Sequence, residues 1–353
     1  MKEYSRDELY MARCIQLAQY GLGFTAPNPM VGSVIVCDGK IIGEGYHRKC
    51  GEAHAEVNAI NSVKDEELLK RSTIYVSLEP CSHWGKTPPC AELIIRKGIP
   101  KVVIGVVDPF SKVSGRGINM LREAGIEVKI GVLEKECAEL NRRFFTFHNY
   151  NRPYVILKWA QTADGYIDYI RPNNQNVAPL KVSSEISMIE VHKMRSEEGS
   201  IMVGTNTAIA DNPKLNVRKW AGKSPVRILI DRFGRVSKSS ALFDGTVPTI
   251  VFSEDAKPEL TAQNLKYVRI DSSVNDVYLM LKELTEDNIQ SLIVEGGTKL
   301  LQSFIDLGVW DEARVETSFF NVGDGVKAPE LKNYKIIERR SDEQSSICRY
   351  MRN

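Results

Sequence analysis

The sequence predicts an α/β protein of two domains, and three observations carry that expectation. The chain has 353 residues, more than twice the ~150 of an ordinary domain. Short β-branched runs alternate with amphipathic stretches along most of its length, the pattern of strands joined by crossover helices. A polar segment ending in proline, "FHNYNRPYV" at residues 147–155, interrupts that alternation, so the domains are expected at residues 1–147 and 148–353.

Leu9, Ala12, Ile15, Leu17 and Ala18 recur at helical spacing, which gives a first helix over residues 6–20. Two β-branched runs then flank Asp38-Gly39 in "MVGSVIVCDGKIIGEGYH", a dipeptide that favours the positive φ angles of a tight hairpin. A helix from about His54, the strand "STIYVSLEP", the helix "CAELIIRKG", the strand "KVVIGVVDP", a helix around "GRGINMLREAG", the strand "IEVKIG" and the helix "EKECAELNRRFF" complete the first series. The second contains "YVILKWAQTADGYID", "SIMVGTNTAIADNP", "PVRILID", "VPTIVFS", "KYVRID", "QSLIVEGG" and "DEARVETSFF" as strands or strand-to-helix turns. Its helices are expected at about Glu185–Arg195, Val274–Leu284 and Thr298–Leu307, and residues 170–179 form a turn-rich loop.

Composition removes several function classes. No apolar run approaches the ~20 residues of a membrane span, and the amphipathic, partly acidic N-terminus lacks the layout of an export signal. The expected location is the cytoplasm. Basic and acidic side chains number 47 and 45, with no basic block, which leaves a nucleic-acid partner without electrostatic support and favours a small-molecule substrate. Seven cysteines are an odd count for a disulfide framework and are read as reduced thiols. A homo-oligomer is compatible with this composition but not specified by it.

Two constellations carry chemistry. "HAEVNAI" sets His54 and Glu56 two residues apart at a helix start, and "PCSHWGKTPPC" supplies Cys81 and Cys90 from a loop rich in proline and glycine. Zinc takes four ligands, and a catalytic zinc keeps one position for water. His54, Cys81 and Cys90 supply three, while Glu56 on the first helical turn approaches that water as a general acid/base. The order His-x-Glu followed by Pro-Cys is that of zinc deaminases, with the second cysteine unusually far along. Bound zinc lowers the pKa of water towards ~7. A purely structural zinc would need a fourth ligand, for which Cys50 is the nearby thiol; Cys14, Cys37, Cys137 and Cys348 are expected to pack in apolar surroundings. In the second half no G-x-G-x-x-G is present, but "VEGG" at residues 294–297 opens a helix whose free N–H groups suit a phosphate.

Together, "APNPMVGSVIV", "GEGYH", "HAE" and "PCSHWGKTPPC" resemble the deaminase half of the bifunctional riboflavin-biosynthesis deaminase/reductase family, and "VGTNTAIADNPKLNVR" with "VEGG" resembles its reductase half. The resemblance spans the full chain. It implies a cytidine-deaminase-like αβα domain followed by a dihydrofolate-reductase-like α/β domain using NADPH. The implied reaction is hydrolytic loss of the 2-amino group of a diaminopyrimidinone ribosylamine phosphate, then reduction of the ribosyl group to ribityl. By the same resemblance His54, Cys81 and Cys90 hold zinc, Glu56 transfers protons, and Asn28 touches substrate, with His47 and His83 at the phosphate or metal rim. In the reductase half it implies Gln161, Thr207, Asp211, Gly297, Thr298, Lys299, Leu300, Leu301 and Gln302 for the cofactor. Arg195, Leu215, Arg218 and Glu295 are implied for substrate, and Lys158 as an aid in opening the ribosylamine ring. The chain departs from the family in "APLKVSSE", where Leu180 or Lys181 stands in place of the family's tryptophan. A nucleoside or nucleic-acid deaminase with an accessory domain is the rival enzyme, disfavoured by near-neutral charge and the long Cys-to-Cys spacing. A non-catalytic zinc-stabilised nucleotide-binding module is the rival of another class, disfavoured by the intact Glu56.

Overall fold

A computed structural model describes residues 4–84, 88–110, 114–171, 178–255, 263–271 and 276–353. The chain forms two compact units, Met1–Asn151 and Arg152–Asn353. No helix among the described residues is long and apolar enough to cross a membrane.

The first unit runs α1 (Arg6–Gln19), β1 (Gly32–Cys37), β2 (Lys40–Tyr46), α2 (Ala55–Asn61), β3 (Thr73–Leu78), α3 (Cys90–Arg96), β4 (Lys101–Val106), α4 (Arg116–Glu123), β5 (Glu127–Ile130), α5 (Glu134–Leu140) and α6 (Arg142–Tyr150). Ser5 caps α1 in a reciprocal capping box with Glu8. Asp38 and Gly39 take φ of 50° and 75° between the paired residues Cys37 and Lys40, as a two-residue hairpin with right-handed strand twist requires. The sheet order is β2-β1-β3-β4-β5, with β3, β4 and β5 parallel and β1 antiparallel to both its neighbours. Alternation along the strands divides the core between the faces. Ile35, Ile74, Val102 and Ile104 meet α2, α3 and α4 through Ile60, Ile94, Ile118 and Leu121. Val34, Tyr75 and Val103 meet α1 and α5 through Met11, Cys14 and Cys137.

Glycine decides the seating of α2. A Cβ at Gly45 would lie 2.3 Å from Ala59 N, and one at Gly43 would lie 2.6 Å from Ala59 O. Only "GEG" therefore lets the helix that carries Glu56 lie directly on β2. The expected final helix divides at Asn141, a buried residue whose amide bonds Met30 N and Met30 O at 2.8 Å each. The second part, α6, carries Phe147 and His148 within it.

The second unit comprises β6 (Tyr154–Gln161), β7 (Tyr166–Asp168), α7 (Glu185–Glu197), β8 (Ser200–Gly204), α8 (Thr205–Asp211), β9 (Val226–Ile230), β10 (Thr249–Ser253), β11 (Leu265–Arg269), α9 (Asp276–Glu286), β12 (Ser291–Glu295), α10 (Thr298–Asp306), β13 (Glu312–Ser318), β14 (Val326–Lys327), β15 (Tyr334–Ser341) and β16 (Ser345–Arg352). Its nine-stranded sheet is ordered β11-β10-β9-β8-β12-β6-β13-β16-β15. The strands from β11 to β13 are parallel, which accounts for their near-continuous apolar runs. β14, β15 and β16 were not expected from sequence. β15 is almost wholly exposed and follows β16 by antiparallel pairing instead of by an apolar pattern of its own. Six residues of the turn-rich 170–179 loop, 172–177, lie outside the described residues.

Candidate active sites

In the first unit, His54 is the residue that begins α2, with extended φ and ψ of −69° and 165°, so its ring projects from the helix start. Cys81 follows β3 through Pro80, and Cys90 is the first residue of α3 after Pro89. His54 Nδ1 lies 3.6 Å from Cys81 Sγ and 3.4 Å from Cys90 Sγ. All three ligand atoms fall within 4.8 Å of one another, the only such His/Cys/Asp/Glu group among the described residues.

The electrostatics identify what the trio lacks. Hydrogen bonding from Cys90 and then His54 holds the Cys81 thiol down at about 4, despite burial. The Cys90 thiol, beside that negative charge and buried, is pushed up instead. Two adjacent sulfurs ionise together only against a compensating cation, and one imidazole with two thiolates is a donor set suited to zinc. The residues therefore fit the metal. The Cys90 N–H donates to Cys81 Sγ at 3.2 Å, so a helix N-terminus already faces one ligand. Glu56, only 3% exposed on the first turn of α2, has its carboxyl pushed up to about 7 by burial.

The remaining sequence candidates divide clearly. His47 Nε2 meets Asn28 Nδ2 at 3.2 Å, and its Nδ1 meets Ala53 O at 3.1 Å. Both contacts are satisfied by the neutral tautomer protonated at Nδ1, and burial favours the neutral form. Its ring stands edge-on to His54, 5.4 Å between centroids, so it positions Asn28 and lies outside the metal group. His83 is exposed and also outside it. Cys50 is exposed and outside it, whereas Cys14, Cys37, Cys137 and Cys348 are buried.

In the second unit a cavity of 1540 Å³ lies at the carboxyl ends of β6, β8, β9 and β12, the crevice where open parallel sheets take ligands. Of the sequence candidates, Lys158, Arg195, Thr207, Asp211, Leu215, Arg218, Glu295, Gly297, Thr298, Lys299 and Leu300 line it. Three do not. Leu301 is fully buried in the core on the other side of its helix. Gln302 bonds Asp306 and Glu330, and Gln161 accepts from the Trp159 indole at 2.7 Å. Leu180 and Lys181, where the family's tryptophan would stand, both line the cavity.

Arg195 donates to Glu295 at 2.9 Å, and both are buried. Glu295 Oε1 and Arg195 Nε have no hydrogen-bond partner among the described residues, so the pair retains bonding capacity towards a ligand. Burial pushes the Glu295 carboxyl up, but Arg195 and Lys158 more than reverse this and hold it below its usual range. Burial also lowers Lys158, with Glu295 opposing. The Gly296-Gly297 turn is set by Thr207. A Cβ at Gly296 would lie 2.7 Å from its hydroxyl, Gly296 has a φ of 112°, and Gly297 N donates to that hydroxyl at 3.0 Å. Asp211 is engaged by Arg171, which also holds Asp168.

Sequence reasoning missed Arg171, Arg232, Phe233 and Arg235, which also line the cavity. The signal for the last three was "IDRFGR", two arginines around a glycine turn directly after a strand. Arg235 donates to Asn206 at 3.0 Å. His192, fully buried, accepts from Arg218 N at 3.2 Å and so fixes the backbone of a cavity residue.

Residues 4–106 match the family model for the cytidine and deoxycytidylate deaminase zinc-binding region, and residues 153–335 match that for the RibD C-terminal domain. The chain is 41% identical over 336 residues to the riboflavin biosynthesis protein RibD of Aquifex aeolicus, covering 94% of this chain and 92% of the relative. It is 35% identical over 325 residues to the Escherichia coli protein of that name, covering 87% and 86%. The crystal structure of a diaminohydroxyphosphoribosylaminopyrimidine deaminase/5-amino-6-(5-phosphoribosylamino)uracil reductase from Thermotoga maritima superposes with a TM-score of 0.87 at 36% identity over 99% of each chain. Acinetobacter baumannii RibD gives the same TM-score at 31% identity, also over 99% of each chain.

Proposed function

The chain belongs to the bifunctional riboflavin-biosynthesis deaminase/reductase family, and from that premise we propose how its two sites divide the work. The protein is an enzyme with a deaminase half and a reductase half, built as a cytidine-deaminase-like domain followed by a reductase domain of dihydrofolate-reductase-like α/β fold. A zinc-binding deaminase domain and a nicotinamide-dependent reductase domain follow from those families. Its substrate is a small molecule.

We assign the deaminase to the first unit and the reductase to the second, with the boundary moved from residues 147/148 to 151/152 because α6 runs through the expected one. His54, Cys81 and Cys90 hold zinc. The substrate is the diaminopyrimidinone ribosylamine 5′-phosphate, and NADPH is the reductant. When bound, the metal supplies Lewis acidity that makes water nucleophilic near neutral pH, and the nicotinamide supplies hydride. Glu56 Oε takes the proton from the attacking water and returns one to the departing amine, a shuttle that its buried place on the first turn of α2 beside the trio allows. Asn28, held by the neutral His47, orients the pyrimidine.

In the second site Arg195 and Arg218 bind the substrate phosphate, and Glu295 orients Arg195. Lys158 Nζ delivers a proton to the ribose ring oxygen as the C1′–O bond breaks, which leaves the open-chain iminium, R–NH⁺=C1′, to take the hydride. Thr207, Asp211 and the helix start from Gly297 to Leu300 take the cofactor. Lys299 and Arg235 add the positive charge that suits a dinucleotide carrying an extra phosphate.

The observation that carries the reading is the buried Glu56 beside a His, Cys, Cys trio closed within 4.8 Å. Incubating the purified protein with the diaminopyrimidinone phosphate and NADPH, and following ammonia and the ribityl product separately, tests it. Both should form, ammonia first. Absence of ammonia release from zinc-loaded protein would overturn the first assignment, and reduction without NADPH oxidation the second.

A further inference from the structure

In "LEPC" the resemblance to zinc deaminases is carried by Pro80 and Cys81, and Glu79 has no part in it. Glu79, two residues before Cys81, is 4% exposed and forms no salt bridge among the described residues. Its carboxylate instead receives four backbone N–H groups. Oε2 accepts from Asp108 N at 3.3 Å and Gly115 N at 3.0 Å, and Oε1 accepts from Gly117 N at 3.0 Å and Ile118 N at 3.3 Å. The second and third residues of α4 thus find their acceptor in a side chain from the end of β3, and Gly115, the residue that begins the helix, supplies no cap of its own.

The same joint is closed by close packing. A Cβ at Gly117 would lie 2.1 Å from the Pro80 carbonyl oxygen, so the first turn of α4 rests on the peptide that leads into Cys81. α3 also holds Cys81 by two bonds, Ala91 N to Cys81 O at 3.2 Å and Cys90 N to Cys81 Sγ at 3.2 Å. The Pro80-Cys81 segment is therefore tied to two helix starts.

We propose that Glu79 is a positioning residue for the metal site: its carboxylate fastens the Pro80-Cys81 turn to α4 and so fixes the Cys81 sulfur relative to His54 and Cys90. This rests on the assignment of those three residues as ligands. Zinc ligands are oriented by groups behind them, and loss of such a group typically weakens metal binding ~10-fold to 100-fold. An acceptor for four N–H groups cannot be replaced by an amide without turning one oxygen into a donor that faces donors.

The test uses the full chain, stripped of metal and titrated with zinc against a chromophoric chelator, and separately loaded with cobalt(II) to record its thiolate and d–d absorption bands. Glu79→Gln should weaken zinc binding ~10-fold or more and shift the cobalt bands. Leu121→Ala, which removes a buried side chain of the same helix, should lower the melting temperature yet keep zinc affinity and cobalt spectrum. Glu79→Asp retains the charge at the helix start with a shorter reach and should show a smaller loss; it decides the matter if Glu79→Gln does not fold. Wild-type zinc affinity and cobalt bands in a folded Glu79 variant would overturn the proposal. So would an equal affinity loss in Leu121→Ala, because the effect would then be one of stability alone. Cys81→Ser tests the ligand assignment independently: unchanged zinc binding there would remove that premise whatever Glu79 does.

Discussion

The two sites are built on opposite plans. The first unit gathers three ligand-type side chains from positions 54, 81 and 90, closed within 4.8 Å, with the buried carboxyl of Glu56 on the same helix start. The cavity of the second unit draws its lining from the ends of β6, β8, β9 and β12 and the starts of α8 and α10, around 1540 Å³ of space. A concentrated site fails when any member is lost, because zinc binding needs its complete donor set. A distributed site loses affinity by increments, because each cation or N–H group carries part of one phosphate or one ring.

The sharpest break between them is metal loss. Cys81→Ser, Cys90→Ser or removal of zinc by chelation should abolish ammonia release while reduction of supplied deaminated substrate continues, measured by metal analysis alongside the two product assays. Ammonia release at the normal rate from zinc-free protein would mean that the trio is not the centre of deamination.

Next in size is Glu56→Gln, which should retain zinc and slow deamination by ~10² to 10⁴. Mixed with a reductase-defective variant such as Asp211→Ala, it should restore the complete conversion through a diffusible intermediate. No recovery from the mixture would indicate that the halves act only within one chain.

On the distributed side Arg195→Ala should cost less. Truncating one partner of a buried charge pair costs about 2 to 5 kcal/mol, and the low end of that range is ~30-fold in kcat/KM. Part of this appears as lower stability, since Glu295 loses its closest cation, although Lys158 partly compensates. Denaturant unfolding measured beside the kinetics separates the two contributions. A deamination rate that fell with it would blur the distinction between the sites.

The smallest effect is expected at Cys50→Ser. Exposed and outside the trio, the residue should change stability by no more than about 0.5 kcal/mol, with zinc content unchanged on metal analysis. Loss of zinc would make the site a four-ligand structural one.

The concentrated plan also explains why the first site was the more legible. His54, Cys81 and Cys90 belong to residue types that are few in this chain, five histidines and seven cysteines, and Glu56 stands out only by its spacing of two from His54. The cavity was legible only where a motif touched it. "VEGG" pointed to Gly297, which lines the cavity, but Leu301 and Gln302 follow it on a helix whose rotation turns them elsewhere. "IDRFGR" signalled a basic turn after a strand but not what that turn faces, which follows only when β9 is placed next to β8.

Local sequence pattern was enough for the α/β alternation, the Asp38-Gly39 hairpin and the three residues of the His, Cys, Cys trio. Each depends on neighbours a few residues apart or on side-chain types with few alternative uses. Tertiary structure alone decided what long-range contact controls. It paired β15 with β16 although β15 has no apolar face, and it divided the expected last helix of the first unit by turning Asn141 onto Met30. It also turned the carboxylate of Glu79 onto four N–H groups drawn from residues 108 to 118. Strand pairing and buried hydrogen bonds between distant residues have no linear period, so no pattern in the sequence could announce them.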